Sequence, residues 1–251
     1  MKMELGEYGM TYLLRLVACL FLCVSLNSFG ALYDRGNGLI YDDVLDITWL
    51  QDANYAQTSG YASANAVGIQ NQNSNHILID GRMGWDASHD WVSQLEFQGH
   101  VDWRLPSANF ISLENPCFAY NGSCDTGYNN ASSELGYMFY MNLNNPGYRS
   151  VNGVIQGYSP ANSDFIDEVS GQSLSFLNLQ SWTYLLAEDF SNDALIFDFY
   201  DGGQGPYYKS YSVYSWPVHD GDIGLAPVPL PAGIYLFLSG LVGLGLLRGR
   251  S

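Results

Sequence analysis

The sequence predicts an α+β domain followed by a C-terminal transmembrane helix. Three observations carry this expectation. Apolar residues recur at helical spacing in two stretches of the first half, 85–98 and 133–142. From residue 174 onward they fall into runs of strand length separated by turn residues. Residues 230–247 form an 18-residue run that is nearly all apolar or glycine, just long enough to span hydrocarbon. Removing both ends of the 251-residue chain leaves a single domain of ordinary size, and an apolar content of 47% with 15% aromatics is a folding composition.

The elements follow in order. Residues 1–30 read as a signal peptide, with Arg15 before the apolar stretch 16–26 and small Ser28 and Gly30 ahead of cleavage at Ala31. Met10 gives an alternative, cleaner start, because Glu4 and Glu7 dilute the basic segment before it. Leu45, Ile47 and Trp49 alternate with Asp46 and Thr48, which is a half-buried strand, and Asp42-Asp43 makes the turn of a hairpin before it. In 85–98, Trp85, Trp91, Val92 and Leu95 share one helical face. Pro106 ends an extended piece, and Ser107 is placed to cap a short helix from Ala108. Leu135, Met138 and Phe139 line a third helix. Strands are expected at 182–186, 194–200 and 208–218.

Charge is uneven. Between residues 31 and 231 only Arg35, Arg82, Arg104, Arg149 and Lys209 are basic, against 23 acids, so the domain carries about −18. A domain this acidic is repelled by phosphate backbones, which excludes nucleic acid as a partner. Acidic polysaccharides are repelled as well, and solubility is the simplest account of the charge. Cys19 and Cys23 lie in the leader, which leaves Cys117 and Cys124. With Asn121-Gly122 as a tight turn between them in an exported chain, they are expected to form a disulfide.

The tail is the sharpest signal. Val228, Pro229, Leu230, Pro231 and Ala232 precede the apolar run, and Arg248 and Arg250 follow it. The prolines hold the chain extended, as a processing enzyme requires, and the arginines stay on the cytoplasmic side. This layout resembles the PEP-CTERM sorting signal in its Val-Pro-Leu-Pro-Ala variant. The resemblance implies an exosortase as partner, a precursor held in the inner membrane by its C-terminal helix, cleavage near the motif, and release to the cell surface or an exopolysaccharide matrix.

The domain at 31–224 carries a second resemblance. Residues 38–54, Trp85-Asp86-Ala87, Asp102-Trp103-Arg104-Leu105-Pro106-Ser107 and 216–221 are similar to the Lcl C-terminal domain family. That resemblance implies a C-type-lectin-like single domain, with a mixed or antiparallel sheet and two or three helices. It also implies that the closing strand near 211–218 joins the sheet of strand 45–50. For the adhesin member it implies binding of sulfated glycans, for which this domain has few basic residues. Phe110 stands where the family has an acid, so the reciprocal cap is missing, and Pro217 and His219 replace its usual Ala and Arg.

Arg104 has two readings, a ligand-binding guanidinium or a buried cation paired to a carboxylate and packed on an indole. The second is preferred for Trp103, Arg104, Leu105 and Pro106 together. His76, His89, His100 and His219 are scattered, and no nucleophile elbow, zinc-protease motif or phosphate loop is present, so no catalytic residue is assigned. No metal site is assigned either. Calcium suits the oxygen-rich turns at 42–43 and 219–222, which lack EF-hand spacing. The many Tyr and Trp residues of the second half are read mainly as core, with a sugar-stacking platform as the alternative. The expectation is an exported, non-enzymatic surface or matrix protein that binds a glycan or another matrix component. A polysaccharide hydrolase and a purely structural matrix protein are the other two readings.

Overall fold

The computed structural model describes residues 31–70, 72–109 and 117–224. A four-stranded antiparallel sheet has the order β1 (Leu32–Gly36), β2 (Leu39–Asp42), β3 (Ile47–Leu50) and β11 (Val218–Asp220). Its first three strands form a meander. The closing strand lies beside β3, with Val218 opposite Trp49 and Asp220 opposite Ile47. The pairing expected between the domain's two ends is therefore present.

A five-stranded sheet has the order β4 (Phe118–Ala119), β5 (Thr126–Gly127), β10 (Gln204–Tyr208), β9 (Asp193–Asp198) and β8 (Thr183–Phe190). The hairpins β8–β9 and β9–β10 carry most of its pairing. A small hairpin joins β6 (Asp164–Ile166) to β7 (Ser173–Ser175). Pro206, which has no N–H to donate, sits in β10 beyond Gln204, the one residue of β10 that pairs with β5. Among the described residues this stretch of β10 has no partner strand on that side, and proline there discourages pairing by another chain.

The expected fold class is corrected. The domain is mostly β, with strands at both its start and its second half and only short helices between, and not α+β. Helix is limited to α1 (Tyr55–Thr58), α2 (Tyr61–Ala64), α3 (Trp85–Ser93) and α4 (Glu134–Tyr137), with a π-helical turn at Met138–Asn142. The helix expected over 85–98 stops at Ser93, and Gln98 and Gly99 then take positive φ values of 53° and 80°. No helix starts at Ala108, because Asn109 has φ 52° and leaves the helical region. Ser107 instead donates its hydroxyl to Glu188 Oε1 at 2.6 Å, while Ser107 Oγ accepts from Asn109 N. The helix-flanked sheet implied by the lectin-like resemblance is replaced by three sheets and short helical turns. No helix among the described residues is long and apolar enough to cross a membrane, and the span expected at 230–247 falls outside them.

The core lies between the two larger sheets. Trp216 is fully buried, donates its indole N–H to Leu50 O at 2.7 Å, and meets Trp49, Phe176, Tyr184 and Phe199 at ring separations of 4.8–6.0 Å. Such aromatic clusters bury more area per side chain than any aliphatic set and prefer the tilted contacts seen here. This core fixes the five-stranded sheet, whose β4–β5 and β9–β10 ends carry the candidate site.

Candidate functional site

Five tyrosines from three loops form a continuous row on the surface. Tyr120 and Tyr128 directly follow the parallel strands β4 and β5, Tyr148 and Tyr158 come from the segment after the π-helical turn, and Tyr200 from the β9–β10 turn. Tyr148 and Tyr158 stack with ring centres 4.4 Å apart and an interplanar angle of 20°. Tyr158 and Tyr200 stack at 4.5 Å and 25°. Looser contacts of 6.2 and 6.4 Å extend the row through Tyr128 to Tyr120, and Phe118 meets Tyr120 edge-on at 5.1 Å. Tyr158 is 57% exposed and Tyr200 45%.

The frame beneath the row is built from covalent and backbone bonds. Cys117 and Cys124 are disulfide-bonded with Cα atoms 5.3 Å apart, as the sequence predicts, and the bridge joins the chain just ahead of the two parallel strands β4 and β5. Gly127 takes φ 119°, and a Cβ there would lie 1.8 Å from Ala119 O, so only glycine lets β4 and β5 approach. A Cβ on Gly153 would lie 2.8 Å from the Tyr120 ring, which packs flat on that turn. Asn129 Nδ2 donates to Tyr120 O at 2.7 Å and to Arg149 O at 2.9 Å, tying the first loop to the second. Tyr148 N donates to Asp201 O at 2.7 Å, tying the second to the third. Tyr140 OH donates to Gly202 O at 2.6 Å and accepts from Asn129 N at 2.9 Å, so one phenol pins the first and third loops. Burial pushes that phenol up to about 12, so it stays a donor at any physiological pH.

Polar groups border the row. The Arg149 guanidinium lies over the rings of Tyr120 and Tyr148, at 5.3 and 5.6 Å, and donates to Gly153 O. Asp201 accepts from Tyr128 OH at 3.1 Å and from Gly203 N at 2.7 Å. Burial and then the Asp201 charge push the Tyr128 phenol well above its ordinary range. Asp198, at the end of β9, is raised to about 6 by burial, with the Tyr200 N–H opposing and the Asp201 charge adding.

Chemically, this arrangement presents aromatic surface and hydroxyls. Tyr158 has Tyr148 on one side and Tyr200 on the other, so its ring edge and hydroxyl are what solvent meets. Tyr200 ends the row with one face on Tyr158. An exposed, preordered aromatic row offers apolar contact to flat CH-rich surfaces and hydrogen bonds to hydroxyls, which together suit a sugar chain.

The sequence-predicted residues lie elsewhere, apart from the disulfide. Arg104 forms a two-point ion pair with Glu134, Nη1 to Oε2 at 2.8 Å and Nη2 to Oε1 at 2.7 Å. It also bonds Asp220 Oδ1 at 2.6 and 2.8 Å and Leu105 O at 3.1 Å. Glu134 Oε2 further accepts from Ser107 N at 2.7 Å. These carboxylates come from α4 and β11. The Trp103 indole does not stack on Arg104. It donates to His100 O and meets Phe97 and His219 edge-on, while Leu105 is buried. The acids named for calcium bond to protein donors. Asp42 accepts from Val44 N, Leu45 N and Asn142, Asp43 from Ala31 N and Tyr33, and Asp222 pairs with Arg35. His76 is buried between Asn73 O and Ser212, and His89 lies against Trp85. Val228, Pro229, Leu230, Pro231, Ala232, Arg248 and Arg250 lie outside the described residues.

Sequence reasoning assigned most second-half aromatics to the core and did not assemble the row. The available signal was the recurrent Gly-Tyr pair at 127–128, 147–148 and 157–158. No family model, no curated protein and no solved structure matches this chain.

Proposed function

We propose that this chain is an exported surface or matrix protein that binds a polysaccharide, without chemically altering it, along the tyrosine row. The observation that carries the proposal is the stack Tyr148–Tyr158–Tyr200. Tyr158, in its middle, and Tyr200, at its end, remain about half exposed, while the loops around them are tied together by Asn129 to Arg149 O, by Tyr148 N to Asp201 O and by Tyr140 to Gly202 O. Aromatic surface held this far out of the core needs a reason, and a rigid row costs little ordering entropy when a ligand binds. Non-enzymatic binding is supported by Asp201, the carboxylate beside the rings, whose two oxygens are both engaged by protein donors. Export fits the disulfide and the leader, and the Val-Pro-Leu-Pro-Ala motif makes an exosortase the sorting partner in this proposal. The test is glycan-array binding followed by chain-length analysis of the bound polysaccharide. Retention without shortening supports the proposal. Shortened products would replace it with a hydrolase, and an absence of binding would leave a structural matrix role.

A further inference from the structure

The charge around the row deepens this reading by naming the class of glycan. The domain carries about −18, and among the described residues its cations are nearly all occupied. Arg35 pairs with Asp222, Arg82 with Asp80, Arg104 with Glu134 and Asp220, and Lys209 with Asp189. Arg149 is held down on Tyr120 and Tyr148 and bonded to a backbone carbonyl. An acidic or sulfated polymer would need several free cations in line, which the described surface does not offer, and would face the net field of the domain. A polymer with ammonium groups meets the opposite situation. At the Tyr200 end the row has an exposed aromatic ring adjoining Asp201, and ring faces attract cations.

We propose that the polysaccharide bound by the tyrosine row carries free amino groups on its sugars, as in a partly de-N-acetylated hexosamine polymer. The inference rests on the glycan-binding reading above. Sugar rings pack along Tyr158 and Tyr200, and an ammonium group lies over Tyr200 within reach of the Asp201 charge. Long-range attraction from the acidic domain raises the local concentration of such a polymer, and the row supplies the specific contact.

The test titrates the full chain with three oligosaccharides of equal length, one fully amino, one fully N-acetylated and one sulfated. Each titration is run at about 50 mM and about 300 mM salt, because added salt shortens the range of charge interactions. The amino oligomer should bind at least about tenfold tighter than the acetylated one at low salt, and the advantage should shrink to about threefold or less at high salt. Asp201→Asn should weaken the amino oligomer by about threefold and leave the acetylated one unchanged. Tyr200→Ala should weaken both, and since Tyr200 is exposed the variant should keep its thermal midpoint. Equal binding of amino and acetylated oligomers, or preference for the sulfated one, overturns the inference while leaving glycan binding intact. Equal binding of the amino oligomer to wild type and to Tyr158→Ala/Tyr200→Ala also overturns it, since charge would then act without the row. If no oligosaccharide binds, the glycan reading itself fails.

Discussion

Replacing Arg104 by Met should destabilise the domain by about 3 kcal/mol, and the value can be built from its contacts. The substitution keeps the side chain's bulk and removes its donors. Glu134, whose side chain is 8% exposed, then keeps only Ser107 N as a partner and becomes a buried charge without a counter-ion. Breaking a buried pair from one side costs about 3–5 kcal/mol, with the lower end apt here because Arg104 is itself one-third exposed. Asp220 is largely in water and rehydrates, so its bond contributes under about 1 kcal/mol. For a domain of this size the loss should appear as a thermal midpoint lowered by about 6–12 °C, followed by tryptophan fluorescence. Adding Glu134→Gln removes the stranded charge while keeping an acceptor for Ser107 N, and should restore about half of the loss. A single variant within about 0.5 kcal/mol of wild type, or a double variant no better than the single, would refute the clasp.

Three further outcomes follow. Asp198 has a folded-state value of about 6, above the ~3.9 of an unfolded carboxyl, so its contribution is full below about pH 4 and is lost as pH rises through 6. Asp198→Asn should therefore raise the midpoint relative to wild type at pH 7.5 and not at pH 4, as calorimetry at both pH values would show. Cys117→Ser/Cys124→Ser should cost about 2–3 kcal/mol by the loop-closure argument for so short a loop, measurable by urea denaturation without reductant. Gly127→Ala should cost at least about 2 kcal/mol, because a Cβ meets Ala119 O and the backbone is in a region that alanine avoids. Retained stability of that variant would mean that β4 and β5 are not so closely apposed.

What the sequence disclosed and what it concealed divide along physical lines. The sequence around Ile47 and Trp49 and the runs at 182–186 and 194–200 announced strands by their apolar content, although β3 is buried on both faces, Thr48 included, and not half-buried as the alternation suggested. The disulfide was legible because two cysteines flanked a turn in a chain whose start reads as a leader. The helix after Ser107 failed because its hydroxyl had a better partner, Glu188, 81 residues away. Such tertiary competition leaves no local trace. Short strands such as Phe118–Ala119 carry no period to read. The partners of Arg104, Glu134 and Asp220, were not legible, since sequence spacing does not show which carboxylates fold onto a guanidinium. The tyrosine row was hidden for a related reason. Each Tyr alone looks like core or chance, and only the meeting of three loops makes a surface.

The central claim is that this surface binds sugar, and it is tested most directly by calorimetric titration of wild type and of Tyr158→Ala/Tyr200→Ala with the same amino oligosaccharide. Aromatic contacts are worth about 0.5–1.5 kcal/mol per ring beyond area, so removing two rings should weaken binding by at least about fivefold. Its thermal midpoint should stay within about 2 °C of wild type, because both rings are half exposed. Undiminished affinity in a folded double variant would contradict the account.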